Sequence, residues 1–454
     1  MTPRQLPDGF LLGCATAAHQ VEGGTVNDWS RWTEAHPEAI AGGGDATIAI
    51  DHYHRYREDL AQLAALHETA HRCSIEWSRV EPEPGHFNAD ALSHYADVVR
   101  TCRELGMEPI VTLHHFTLPT WLADAGGVTS PDAPARFARY AAACVEAFGD
   151  MVTWWITINE PAVIATLGYL EGTWPPGERS LPLATRALAG LLRMHAAGAQ
   201  AIKTVTAQRD RDARMSSNTQ GRRGREVQVS IAHHERRLVP RTPGSRLERT
   251  LAALPDYLFN RWFLRSCIAG RMLAPVGHGE TVPGLTGSLT YLGLNHYANE
   301  AVSLDVRAPG MLFTKHQAVP GFPLSSTGWA IDPSALRTAL ASFWKEFGLP
   351  IIVTENGVAD DHDELRPEYL RTHLTAVADA IDAGVDVRGY MYWTAWDNFE
   401  WAEGYTMRFG LFAVDRGTLA RVAKPSAAMY AEICRTRRIP DAAVAKQALS
   451  ARRG

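Results

Sequence analysis

Cysteine is scarce in this chain and nowhere clustered. Cys14, Cys73, Cys102, Cys144, Cys267 and Cys434 never fall at C-x-x-C spacing, which argues against a zinc framework and against a secreted disulfide scaffold. Buried reduced thiols are the simpler reading. No apolar run approaches the ~18 residues that a membrane span needs, so no membrane partner is expected. Positive charge is not in excess: 45 Lys and Arg stand against 50 Asp and Glu, a net −5, and no global basic field exists to hold nucleic acid. The sequence also lacks a G-x-G-x-x-G turn at a strand end, the H-E-x-x-H of zinc hydrolases and the G-x-S-x-G elbow of serine hydrolases. These absences weigh against dinucleotide, metal and serine chemistry. The absence of a short internal repeat weighs against a solenoid. Leu11-Leu12-Gly13-Cys14 resembles a lipoprotein cleavage box, but the polar stretch 5–9 supplies no hydrophobic signal region, and a cytoplasmic protein is the expectation.

What is present is an ordinary globular composition, 46% hydrophobic and 21% charged over 454 residues. The 13 Trp and 13 Tyr could suit stacking on flat ligands, although core packing alone accounts for such a content. Short apolar runs at 10–17, 70–75, 107–113, 153–158, 227–232, 289–294, 350–354 and 387–393 read as strands. Helical spacing fills the intervals at 56–66, 89–105, 134–148, 183–203, 333–347 and 368–383. Strand-then-helix alternation implies parallel strands joined by crossovers, and eight such units imply an α/β fold, a single (β/α)8 TIM barrel over 1–440. An open doubly wound sheet is the rival architecture, and it would want the missing glycine-rich turn. Segment 206–226 carries six Arg and reads as a poorly ordered surface insertion on the barrel face opposite the site, and 441–454 as a loose tail.

A barrel of this kind builds its site at the C-terminal strand ends. Those ends carry His19-Gln20, Glu76, His114-His115, Asn159-Glu160, His233-His234, Asn295-His296-Tyr297, Glu355-Asn356 and Trp393, with Arg72 inside the second strand. One such residue is ordinarily a cap or a salt-bridge partner. Convergence at eight ends is a site. Glu160 and Glu355 follow the fourth and seventh strands, and opposed carboxyls are what cleavage of a glycosidic bond requires. A divalent metal on the same carboxylates and histidines is the competing chemistry, and no dense ligand cluster favours it.

At these positions the chain resembles the family 1 retaining β-glycosidases. FLLGCATAAHQVEGG, DHYHRYREDL, SIEWSRVEPEPG, TLHHFTLP, TINEP, LGLNHY, TENG and YWTAWDNFEWAEGY occur in the family's order across nearly the whole chain. The resemblance implies Glu160 as general acid/base, Glu355 as nucleophile, and Arg72 and Tyr297 as the groups that orient Glu355. It implies sugar contacts from Gln20, His115, Asn159, Asn295, Glu400 and Trp401, with Trp393 as the platform beneath the ring. It implies no cofactor and no metal, and a small-molecule β-glycoside as substrate. A retaining pair sits ~5–5.5 Å apart. Arg72 is expected to lower Glu355, and the charge of Glu355 to raise Glu160. Glu400 stands where the 6-phosphoglycoside branch has Ser, and Met407 and Phe409 stand where that branch grips phosphate. An unphosphorylated gluco-, galacto- or fucoside is therefore expected. His19, Cys73, Phe116 and His296 depart from the family's commoner residues. That affects pocket shape rather than reaction. Loop 298–328 and segment 172–176 are expected to form the aglycone side. Transglycosylation to a natural-product or lipid alcohol, and sugar binding without catalysis, are the alternatives.

Overall fold

The computed structural model describes residues 4–216, 226–308 and 313–441. Eight parallel strands form its frame: β1 (Leu11–Ala15), β2 (Ala70–Ser74), β3 (Glu108–His114), β4 (Trp154–Asn159), β5 (Gln228–Glu235), β6 (Leu292–His296), β7 (Ile351–Asn356) and β8 (Val387–Trp393). They pair in chain order, and β8 closes on β1 in the register Gly389 to Leu11 through Trp393 to Ala15. Each strand feeds an outer helix. These are α1 (His52–Ala65), α2 (Ala89–Glu104), α3 (Ala133–Phe148), α4 (Leu181–Ser216), α5 (Arg246–Asn260) with α6 (Trp262–Ala269), α7 (Pro333–Phe347), α8 (Arg366–Asp382) and α9 (Pro425–Thr436). The barrel read from strand-helix alternation is the fold observed.

Local chemistry sets the helix ends. Asn88 Oδ1 accepts from Asp90 N at 2.9 Å and Ala91 N at 3.1 Å to start α2. Asp332 caps α7 with Pro333 at its first turn, and Gly348 ends it with φ 63°. Along the strands, Ile110, Ile156, Ile352 and Met391 pack together inside the barrel, while their neighbours Val111, Trp155, Val353 and Tyr390 join the larger core beneath the helices. This period of two puts Arg72 on the inner face of β2, in register with Ile110 and fully buried.

One expectation changes. Residues 206–216 are the last turns of the 36-residue α4 rather than a disordered insertion. Gln208 Nε2 donates to Asp212 Oδ1 at 2.8 Å, and Arg209 lies 3.6 Å from Asp150 beyond the end of α3. The Ala, Gln, Arg and Asp of this stretch suit a solvated helix with i,i+4 pairs. Residues 217–225 and 442–454, which complete the expected insertion and tail, lie outside the described residues. All six cysteines are free, and all but Cys73 are buried. Among the described residues no helix is long and apolar enough to cross a membrane, and no group of His, Cys, Asp and Glu could hold a metal ion.

Arg366, fully buried at the start of α8, ties the helix layer to the barrel. It bonds Asp363, the Tyr392 hydroxyl at 2.9 Å, Asp360 O at 3.0 Å and Arg408 O at 2.7 Å. Arg366→Met is expected to cost about 3–5 kcal/mol, because it leaves a buried carboxylate without its cation. Urea unfolding measures this, and a loss below about 1 kcal/mol would place the network among the weak surface pairs.

Candidate active site

β4 ends at Asn159 and hands the chain to Glu160, whose backbone is left-handed at φ 45°, ψ 62°. The Glu160 N–H donates to Ala232 O of β5 at 2.8 Å, so the barrel ladder holds a conformation that costs a non-glycine residue about 1–3 kcal/mol. A turn of π-helix, Ile164–Leu170, follows closely, a form that gathers at functional sites. Glu355 lies within β7, and the chain leaves that strand through Gly357. A Cβ on Gly357 would stand 1.8 Å from Trp393 O, so only glycine lets the ends of β7 and β8 meet.

Arg72 organises the centre. Its Nη1 donates to Glu355 Oε1 and, at 3.1 Å, to Thr354 O. Its Nη2 donates to Asn159 Oδ1 at 2.8 Å and its Nε to Thr112 Oγ1 at 3.1 Å. The Tyr297 hydroxyl donates to the other oxygen of Glu355 at 2.6 Å. Glu160 is held differently. Asn295 Nδ2 donates to Glu160 Oε1 at 2.7 Å and to Asn159 Oδ1 at 3.1 Å, while Asn295 Oδ1 accepts from Thr354 Oγ1 at 2.7 Å. His234 Nδ1 lies 3.3 Å from the same Glu160 oxygen. One amide oxygen, Asn159 Oδ1, thus stands between the cation that holds Glu355 and the amide that holds Glu160.

The electrostatics reverse both expectations for the carboxyls. Burial pushes the Glu355 carboxyl up to about 7, against the pull of Arg72; the charge of Glu160 adds to the rise and the Tyr297 hydrogen bond opposes it. Burial acts upward on Glu160 too, yet the charge and proximity of His234, with the Asn295 hydrogen bond, leave it below the usual carboxylate value. At Glu355 the dry interior outweighs Arg72, and at Glu160 the imidazole of His234 and the Asn295 amide outweigh the dry interior.

A second group lies across β1, β3 and β8. Gln20 Nε2 donates to Asn398 Oδ1 at 3.1 Å and Phe399 O at 2.7 Å, and its Oε1 is buried without a partner. Trp393 Nε1 donates to Glu400 Oε1 at 3.3 Å, and burial pushes the Glu400 carboxyl well above its ordinary value. His115 Nε2 sits 3.2 Å from Asn159 Nδ2, which leaves Nδ1 as the ring's donor, buried and unpartnered. Burial, then the charge of Arg72, holds His115 far below the ordinary imidazole value, so the ring is neutral. It stacks near Trp393 (6.0 Å, 20°) and Trp401 (6.2 Å, 12°). Trp401 also meets Trp174 of segment 172–176 at 5.7 Å, Phe116 at 5.1 Å and His19 at 5.5 Å.

Other strand-end residues turn away. Asn356 donates to the Tyr369 hydroxyl and accepts from the Tyr390 hydroxyl, both at 2.8 Å. His233 Nε2 meets Asn260 O at 3.0 Å, and His296 Nε2 lies 3.4 Å from Glu235. These brace the barrel. Beyond Tyr297 opens a cavity of about 180 Å³ whose walls include His234, Arg236, Asn299, Glu300, His316 and Trp329. Loop 298–328 supplies much of this wall, through the paired strands Glu300–Leu304 and Thr314–Ala318. His234 stood in the sequence only as a strand-end histidine. Its contact with Glu160, and the parts played by Thr112 and Thr354, carry no signal beyond inward-facing position.

The fold and this centre define a (β/α)8 barrel that gathers two buried carboxyls, Glu160 and Glu355, at its strand ends. Comparison narrows the class: the family model for glycosyl hydrolase family 1 matches residues 2–439, and the chain belongs to that family. It is 32% identical to beta-glucosidase A of Thermotoga maritima, over 97% of this chain and all of that protein. It is 35% identical to thermostable beta-glucosidase B of Thermobispora bispora, over 94% of this chain and 90% of that protein. Among solved structures, the beta-glycosidase from Pyrococcus horikoshii superposes with a TM-score of 0.86 at 32% identity, covering 97% of each chain.

Proposed function

We propose that the chain is a retaining exo-β-glycosidase acting on unphosphorylated β-glycosides, with Glu355 as nucleophile and Glu160 as acid/base. The observation that carries this is the unequal holding of the two carboxyls. A guanidinium and a phenol hydroxyl donate to both oxygens of Glu355, which fixes the orientation of its carboxyl and opposes the upward push of burial. Glu160 keeps one oxygen free of any such clamp. In the first step a Glu355 oxygen bonds to the anomeric carbon, the bond to the aglycone oxygen breaks, and that oxygen takes the Glu160 proton. In the second step water attacks the same carbon, Glu160 takes its proton, and the bond to Glu355 breaks. Loss of the Glu355 charge in the intermediate is what lets Glu160 change from acid to base. The unpartnered Gln20 Oε1 and His115 Nδ1 offer an acceptor and a donor for sugar hydroxyls, with Trp393 and Trp401 as flat apolar neighbours. The T. maritima enzyme has been solved with glucoimidazole and with deoxynojirimycin, which supports a small-molecule ligand here.

The test is the anomer released. Proton NMR during cleavage of an aryl β-glucoside is expected to show the β-sugar first, mutarotating later. An initial α-sugar would mean direct displacement by water and would overturn the nucleophile assignment.

Donor selection follows from charge. Burial drives Glu400 toward its neutral form, so a phosphate is excluded less by repulsion than by the lack of a cation: Met407 and Phe409 offer none. Aryl β-glucoside or β-fucoside is expected to exceed the 6-phosphoglucoside in kcat/KM by about 100-fold or more, given the several kcal/mol that an unpaired buried anion costs. Equal turnover would overturn the unphosphorylated assignment.

A further inference from the structure

The mechanism above uses Glu160 in two protonation states, and a group the mechanism does not use lies against it. His234, at the end of β5, has a side chain only 14% exposed, and its Nδ1 lies 3.3 Å from Glu160 Oε1. The contact is one of charge more than of an aligned hydrogen bond, because Nδ1 has no hydrogen-bond partner of good geometry and Asn295 occupies that role at the same oxygen. We propose that His234 is a positioning residue for the proton of the reaction centre, deciding whether Glu160 or Glu355 carries it. This rests on the reading of the two glutamates given above.

With an imidazolium at His234, Glu160 is the favoured anion, and its charge then acts upward on Glu355. The proton sits on the wrong carboxyl for the first step. With a neutral imidazole, the largest opponent of burial at Glu160 is gone. Glu160 takes the proton, and Glu355 is left to the pull of Arg72 and Tyr297. In the glycosyl-enzyme the need inverts, because Glu160 must be an anion to accept a proton from water, and a positive His234 favours that.

The surroundings leave this role to His234. On its own strand, burial holds His233 at about 3 and pushes Glu235 up to about 7. Beside β6, burial likewise holds His296 at about 3 and raises Tyr297, leaving both uncharged. From the following strands Glu300 is held anionic and is matched by Arg236 at 3.2 Å and His316 at 2.8 Å. From α5 the neighbour is the uncharged ring of Phe259, at 5.6 Å. Arg72 also acts on Glu160, as a weaker influence than His234.

The test is the pair of pH profiles in His234→Asn. For kcat/KM on a phenyl or alkyl β-glucoside, the acid limb is expected to move down and the basic limb up, each by about 1 unit, the size of a close charge effect. For kcat on dinitrophenyl β-glucoside, limited by breakdown of the intermediate, the acid limb is expected to move up by about the same amount. Opposite movements of the two acid limbs are a result that a merely structural role does not give. His234→Gln serves as a second variant, with thermal melting to show that each is folded. Profiles that coincide with wild type within about 0.3 unit, or that fall in height without moving, would overturn the proposal. Loss of activity in Glu355→Gln beside an unmoved His234→Asn profile overturns this inference alone. Persistent activity in Glu355→Gln overturns the reading beneath it.

Discussion

Glu355→Gln is expected to remain folded and to cleave aryl β-glucosides on the order of 10⁴- to 10⁶-fold more slowly, the range seen when a covalent nucleophile is removed. The substitution keeps shape and one acceptor oxygen, enough for Arg72 or Tyr297 but not for both, and an amide does not form the glycosyl ester. What remains is binding by the sugar-facing groups, so a ligand shaped like the sugar should still raise the melting temperature of the variant. Because Arg72 is fully buried, the lost carboxylate leaves a cation short of its counter-charge, and some loss of stability is expected alongside. Melting curves separate the two effects. A folded variant that keeps more than about one hundredth of wild-type kcat/KM would remove Glu355 from the covalent step, since general electrostatic support alone is worth losses of that order.

Much of this centre was legible before the fold was seen, for a physical reason. Barrel strands carry their chemistry at one end, so a short apolar run followed by a polar residue reports position without any knowledge of packing. Glu160 and Glu355 were found that way, and Arg72 stood out as a charged residue inside an apolar strand. The strand-end rule also over-collected. Asn356, His233 and His296 occupy the same kind of position, and the structure spends them on Tyr369, Asn260 and Glu235. Nothing local separates an inward from an outward polar residue when the strand is buried on both faces. Electrostatics were less legible still. The sign at Glu355 depends on the dryness of its surroundings against Arg72, and the sign at Glu160 on an imidazole from another strand. Segment 206–216 failed differently: many charges and few large apolar residues suited disorder, but helix-forming residues and i,i+4 pairs carried α4 through it.

The loss in Glu160→Ala should depend on the leaving group. An alkyl alcohol or a second sugar departs only with a proton, so for such substrates the variant is expected to lose about 10²- to 10⁴-fold in kcat/KM, the worth of a positioned acid. Dinitrophenolate departs without one, and its kcat/KM should fall far less. The intermediate then forms and persists, because no base remains to activate water. A burst of phenolate followed by slow turnover is the expected trace. Azide needs no proton removed, and the shortened side chain leaves space beside the anomeric carbon. Added azide should therefore restore turnover and yield the β-glycosyl azide. An α-azide would mean that azide had displaced the leaving group directly, and Glu355 would then not be the covalent partner. An equal loss on both substrates, with no response to azide, would make Glu160 a structural residue, since acid catalysis by its nature tracks the basicity of the group that leaves. The two-oxygen clamp on Glu355 and the single amide on Glu160 are the reason to expect the β-azide: a carboxylate held at both oxygens suits a bond to carbon, and one with an oxygen free suits the movement of a proton.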